Sequence, residues 1–338
     1  MNKSVELPLI EPVYRTFNFE AASSAVLKEN QSIRNWYLNE IMMLQCSTRF
    51  LNGFTSPELF IVDLAPVCNP YLEKIKYELK YLGSGVHKVI RNLINDGYYV
   101  FFWGIDDYYF KGKSWYHEKH FPHDGLIIGY NMEEENYTVY AYDQNWLLRT
   151  FKTPKHSLTK AINSALSQNQ FGHLYGIKPK KEIVSINIQR ILESLKEYLK
   201  SSSEDFPSTN RYHIKGVDVH KYILLYLDKL YSGEISWDRM DRRIFRLIWN
   251  HKKVMLERIE IVEEELGLDK TISKSYKPLV KETENMRMLY ASYNKRRRDS
   301  ILLHIKEKLI YVYEKEIDLL TKLVEIMEDE HEKRDFVK

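Results

Sequence analysis

Apolar and polar positions follow two different rhythms along this chain, and the change falls near residue 180. In the first part, short dense apolar runs stand between turn residues. Tyr98 to Gly104 follows the turn signal Asn95-Asp96-Gly97 and consists of aromatic and β-branched residues, which suit a strand. Gly125 to Tyr130 is an apolar run closed by glycine, as a buried strand would be. A polar turn over 131–136 leads to Tyr137 to Tyr142, which alternates, so the two segments are predicted to pair as a hairpin. Trp146 to Phe151 reads as a further strand. Ahead of these strands, helical spacing predicts helices over Phe19 to Lys28, Ile33 to Cys46, Pro70 to Leu82 and Val86 to Asn95. Helices followed by antiparallel strands make an α+β order, not an alternation of β and α.

From Glu182 onward the strand signals vanish. Ile183 to Leu199 repeats apolar residues at helical spacing, and Ser201 to Pro207 reads as a linker. Further helices are predicted over Val217 to Tyr231, from Trp237 toward Gly267, over Pro278 to Asn294 with the proline at its first position, and over Ser300 to Asp329. Long helices with one apolar stripe pack as a bundle. The expected organisation is therefore an α+β domain over 1–178 and an all-α helical domain over 179–338.

Composition narrows the function classes. Hydrophobic residues at 44% and charged residues at 29% exclude a disordered chain. The net charge of +3, from 50 Lys+Arg against 47 Asp+Glu, is too balanced for a protein built to grip nucleic acid. Two cysteines, Cys46 and Cys68, cannot staple a chain of 338 residues, which points to a reducing compartment. The start carries no apolar signal region and no stretch is long and apolar enough to span a bilayer. A soluble, cytoplasmic protein with no membrane partner is expected. The 25 tyrosines against 14 phenylalanines suit a half-polar cleft or an interface.

The most specific local pattern is His123 directly before one strand of the predicted hairpin and Asp143 directly after the other. The open ends of a hairpin are adjacent, so the two side chains are expected side by side. A carboxylate on one imidazole nitrogen steadies the ring and leaves the other nitrogen as a general base. The bland reading is a surface histidine near a turn aspartate. His117 and His120 lie close by, but no second ligand cluster accompanies them, so they read as solvated and no metal is expected. The basic runs Lys178 to Lys181 and Lys295 to Arg298 read as solvated faces, or as a landing patch for an acidic partner. Gly83-Ser84-Gly85 lacks the lysine and the spacing of a nucleotide loop.

The order of a histidine, a hydrophobic strand ending Gly129-Tyr130, and a return strand to Asp143 with Trp146 beyond resembles the papain-like cysteine proteases. It is similar in particular to the C39-type peptidases and to the amino-terminal domain of the butirosin biosynthesis protein H family. The resemblance covers residues 1–150. It implies a papain-like helix and antiparallel sheet, followed here by the helical bundle, and a Cys-His-Asp triad in which a cysteine opens the first core helix. His123 and Asp143 match the second and third roles. The nucleophile is expected at position 22, or second at position 21, and the sequence has Ala22 and Ala21 there. Three explanations stay open: an alanine put in place of the thiol, a catalytically inactive relative, or another nucleophile among Cys46, Ser23 and Ser24. Cys46 follows the apolar run Ile41 to Leu44 near the end of a helical pattern and reads as structural; Cys68 has a weaker claim still.

Relatives with a helical second half imply an amide-bond-forming acyltransferase in nonribosomal natural-product biosynthesis. Its substrate would arrive on the phosphopantetheine arm of an acyl or peptidyl carrier protein, its acceptor would be a small amine, and it would need no cofactor of its own. A cysteine peptidase and a non-catalytic binding or scaffold protein are the alternatives. The long amphipathic helices leave a homodimer open.

Overall fold

The structure, a computed structural model, describes all residues except 1–2, 13, 27–30, 41, 53–55, 63–64, 169–171, 207–210, 238–239 and 336–338. The chain divides into two compact units. One comprises residues 1–33 and 63–183, the other residues 34–62 and 184–338. In place of a single cut at 178/179, the late boundary falls at 183/184, and residues 34–62 also belong with the C-terminal segment.

The first unit is built on an antiparallel sheet. Its strands are β1 (Ser4–Glu6), then, after β2 (Leu44–Ser47) and β3 (Phe60–Ile61) of the other unit, β4 (Leu72–Glu78), β5 (Tyr99–Asp106), β6 (Pro122–Asn131), β7 (Asn136–Tyr142), β8 (Leu148–Pro154) and β9 (His173–Pro179). The order is β4-β9-β5-β6-β7-β8, with β1 on β6. The hairpin read from the sequence is present as β6 and β7, with Leu126 opposite Tyr140. Gly104, at φ +82, lies where the β5/β6 register shifts between Phe102 and Ile105, and this bulge resets how the end of β5 is presented. Gly129 is needed where β1 closes on β6, because a Cβ there would stand 2.6 Å from the Val5 carbonyl oxygen. Helices α3 (Val86–Asn95) and α4 (Lys155–Ser167) bury Ile90, Leu93, Leu158 and Ile162 with Val100, Phe102 and Ile127 of the sheet.

Helix α1 (Asn18–Ala25) also belongs to this unit. Its start is fixed by Glu20, whose Oε2 accepts the backbone N–H groups of Thr16 (3.1 Å) and Phe17 (3.2 Å). The predicted end of this helix at 27–28 lies outside the described residues, as do Pro207 and positions 238–239 of two other predicted segments.

Two predicted helices are corrected. Pro70 to Leu82 is instead β4, an edge strand paired with β9 along its length. Most of its side chains are exposed, so no period-two signal survived, and the accidental spacing of Leu72, Ile75, Leu79 and Leu82 imitated a helix. The segment predicted as Ile33 to Cys46 is split into α2 (Gln31–Glu40) and β2 (Leu44–Ser47).

In the second unit, β2 pairs with β3 (Phe60–Ile61) and β11 (Arg211–Lys215), and β11 pairs with β10 (Ser202–Phe206). The expected linker after residue 200 is this β10/β11 hairpin. The unit is therefore not all-α as expected: beside this sheet stand the predicted helices, α5 (Ile188–Lys200), α6 (Val219–Tyr231), α7 (Ile244–Leu266), α8 (Thr271–Arg296) and α9 (Asp299–Asp335). Gly267 ends α7 in the left-handed conformation at φ +69. Pro278 lies inside α8 and not at its first position. No helix among the described residues is long and apolar enough to cross a membrane.

The centre of this unit is charged. Glu316 of α9 is fully buried, and its carboxylate receives Lys252 Nζ of α7 at 2.6 Å, Tyr276 Oη of α8 at 2.6 Å and Tyr198 Oη of α5 at 3.2 Å. His220 of α6 stands 3.8 Å from the same carboxylate and donates from Nδ1 to the Val217 carbonyl at 2.7 Å. Next to Lys252, His251 donates to the Met42 carbonyl at 2.7 Å. Burial alone would raise the Glu316 pKa. Lys252, His220 and His251 outweigh it and pull the carboxyl down to about 2.

Candidate functional site

The two residues singled out by the hairpin argument do not meet. Extending the β6/β7 register from Leu126↔Tyr140 would set His123 opposite Asp143, but the ladder ends at that pair. The side chain of Asn18, the first residue of α1, fills the gap. Its Oδ1 accepts the N–H of Tyr142 at 2.9 Å, and its Nδ2 donates to the carbonyl of Asp124 at 2.9 Å. One side-chain amide thus replaces a rung of the ladder and holds the ends of the two strands apart.

Asp143 is occupied locally. Its Oδ1 accepts the N–H groups of Asn145 (2.8 Å) and Leu147 (2.9 Å), and its Oδ2 pairs with Arg149 at 2.5 Å. It shapes the turn between β7 and β8, the role that a short carboxylate fills well. His123 lies inside β6, one residue from its start, and not ahead of it.

The neighbours of His123 come from elsewhere in the same unit. Around Nδ1 stand Asp107 Oδ2 at 3.2 Å, Lys113 Nζ at 3.3 Å and Asn18 Nδ2 at 3.3 Å. Nε2 faces Asp124 Oδ1 at 3.5 Å. Asp107 and Lys113 form an ion pair at 3.3 Å whose side chains are only 4% and 2% exposed, while the histidine side chain keeps 31% of its surface in solvent. Burial pushes the Asp124 carboxyl above the usual range, against the pull of His123 and Lys113. The imidazole is therefore bracketed by two carboxylates and an ammonium, with Phe121 against its ring at 5.4 Å between centroids and part of its surface in solvent.

Position 22 is also corrected. Ala22 is buried in the second turn of α1, past the N–H groups that a helix mouth presents, because the Glu20 cap starts the helix at Asn18. The residue at that mouth, against His123, is Asn18. The other candidates are spent. Ser23 Oγ is buried and accepts Asn69 Nδ2 at 3.4 Å, and Ser24 Oγ bonds back to the carbonyls of Glu20 and Ala21. Cys46 is buried in β2 of the other unit, where burial raises its thiol to about 12, so it is a structural thiol; Cys68 is exposed.

His117, His120 and His123 separate. His117, at φ +57, packs on Tyr116 and Tyr108, and His120 goes to Asp106 at 2.6 Å. Asn18, Asp107, Lys113 and Asp124 were the functional neighbours that sequence reasoning missed. A usable signal existed in Asp106-Asp107, two carboxylates closing the apolar run of β5. No protein-family model and no curated protein matches this chain.

Proposed function

We propose that the first unit is a papain-like domain that handles an acyl or peptidyl chain without forming an acyl-enzyme. In this reading it is a non-nucleophilic relative of the cysteine-protease scaffold, acting as a binding module in carrier-protein-dependent biosynthesis. The observation that carries the reading is Asn18. It is the residue at the observed helix mouth, 3.3 Å from the imidazole; the resemblance gives a helix mouth to a cysteine, expected at position 22 or 21. A carboxamide is no nucleophile, and here both ends of it are committed to backbone groups.

The test is to incubate the full chain with an acyl-carrier-protein thioester, with and without a diamine, and follow it by intact-mass spectrometry. The expected result is an unmodified protein and an intact thioester. Installing a thiol by Asn18→Cys is expected to give an acyl adduct that disappears on adding His123→Ala. Turnover or acylation of the unaltered chain would overturn the reading.

One observation favours a second reading, the amide-forming acyltransferase. A partly exposed imidazole held by a buried carboxylate suits a general base. His123 would then take the proton from an amine as its nitrogen attacks the thioester carbonyl. The carbon–sulfur bond breaks and the proton passes to the departing thiolate, with no covalent enzyme intermediate. Amide product formed by the unaltered chain and lost in His123→Ala would select this reading.

A further inference from the structure

The carboxylate beside Asp107 holds a second histidine in a different setting. Asp106, at the end of β5, is buried and accepts four hydrogen bonds: from the N–H groups of Tyr108 and Phe121 at 3.1 Å each, from Ser164 Oγ at 2.5 Å, and from His120 Nδ1 at 2.6 Å. The His120 ring also stacks on Tyr108, with centroids 4.3 Å apart. Yet half of this side chain is exposed. An exposed imidazole gripped at Nδ1 and across one face has a fixed direction for Nε2, which the grip leaves to solvent.

That ring borders a shallow depression of about 470 Å³ that is widely open to solvent, lined also by Tyr109, Lys160, Asn163, Ser164, Ser167 and Gln168. Lys160, Asn163, Ser164 and Ser167 share one face of α4, at the three- and four-residue spacing of a helix. Among the described residues no carboxylate lines the depression; Asp106 is buried and bonded to two of the lining side chains, Ser164 and His120. The lining is instead an ammonium, an imidazole, two carboxamides and three hydroxyls. A polar, cation-bearing and acid-free hollow recognises an oxyanion through charge-assisted hydrogen bonds.

We propose that this depression binds a phosphate monoester, held by Lys160, His120 Nε2 and the amides of Asn163 and Gln168. Asp106 positions the imidazole. Burial works against its charge, but the hydrogen bonds from Ser164, His120, Tyr108 and Phe121 prevail and keep the carboxyl below its usual range, an anion that fixes the ring through Nδ1. The Gln168 amide, which donates to Ser164 Oγ at 3.0 Å, ties the helix end to the same network. This site shares no residue with the His123 cluster, although Asp106 and Asp107 are consecutive, and it does not depend on how that cluster is read.

The experiment is a titration of the full chain with phenyl phosphate and with inorganic phosphate, followed by phosphorus NMR and calorimetry. Saturable binding of phenyl phosphate is expected, weakened roughly tenfold by Lys160→Gln and by His120→Asn, each removing one charge-assisted contact. Both residues are surface-exposed, and unchanged circular dichroism would confirm that these variants fold. Lys88→Gln, an exposed lysine of α3 outside the depression, is expected to change nothing. No saturable binding, equal loss in Lys88→Gln, or citrate binding as tightly as the phosphate monoester would each overturn the proposal. The acylation of Asn18→Cys is expected to be the same with or without Lys160→Gln, so failure here is separable from failure of the His123 reading.

Discussion

Replacing Lys252 by methionine removes the cation from the centre of the helical unit and leaves Glu316 behind. At the observed 2.6 Å, and with an effective dielectric of about 20, the lost attraction is on the order of 6 kcal/mol. Two hydroxyls still donate to the carboxylate, Tyr276 at 2.6 Å and Tyr198 at 3.2 Å, and they recover part of this. A net cost of about 3–5 kcal/mol follows, the range for breaking a buried pair by removing one partner. For a unit of this size it corresponds to a fall of about 10 °C in Tm. The assay is urea unfolding of the full chain followed by far-UV circular dichroism, which weights the helices. Without its cation, the buried carboxyl takes up a proton more readily folded than unfolded, so the deficit is expected to narrow as pH falls from neutral. Lys252→Met combined with Glu316→Gln, where a neutral amide can still accept the tyrosine hydroxyls, is expected to restore at least half of the loss. A single variant within about 1 kcal/mol of the parent would refute the reasoning, as would a double variant no more stable than the single.

Acid is expected to weaken the fold before the Glu316 carboxylate titrates. Burial lowers His220 from 6.5 to about 4, so the unfolded chain binds the proton first. Stability should fall by up to about 3 kcal/mol as pH drops from 6.5 to 4, and His87, also lowered to about 4 by burial, acts in the same direction. The Glu316 contribution is lost only below 4.5, as pH approaches about 2. Urea midpoints measured across this range for the parent and for His220→Gln check the sign, since the variant should show a shallower slope. Asn18→Ala is expected to cost about 2 kcal/mol or more, because Tyr142 N–H and Asp124 C=O lose a shared partner; hydrogen exchange at Tyr142 reads this directly. With iodoacetamide on the folded protein, Cys68 is expected to label and Cys46 to resist until unfolding, and mass mapping of the two peptides decides it.

Strong local periodicity made most of this molecule readable. The strands around Val100, Ile127 and Val139 and the five helices after residue 187 carry apolar patterns dense enough to declare themselves. The strand Leu72–Glu78 did not, because it is held by backbone pairing to β9 while its side chains face water. Nor did the hairpin after residue 200, whose serines and charges resemble a linker. At the site, His123 was legible and its surroundings were not. Hairpin geometry predicts which ends are near each other, but not that a helix will insert the amide of Asn18 between them. The start of that helix hinges on one glutamate, Glu20, reaching back to two N–H groups. This is a tertiary detail that moves the helix mouth four residues from Ala22 to Asn18.

The strand bearing Cys46 pairs with the strand bearing Ile214, and every residue of the first unit after position 62 lies between them in the chain. During synthesis, the early half of that ladder leaves the ribosome long before its mate exists. The part of the α+β unit after position 62 is thus synthesised while the early half still waits for its mate. Such a layout makes β11, synthesised only after the whole of that unit, a condition for completing the ladder on β2. It also predicts that a nascent chain halted near residue 183 would display an orphaned apolar edge to any chaperone nearby.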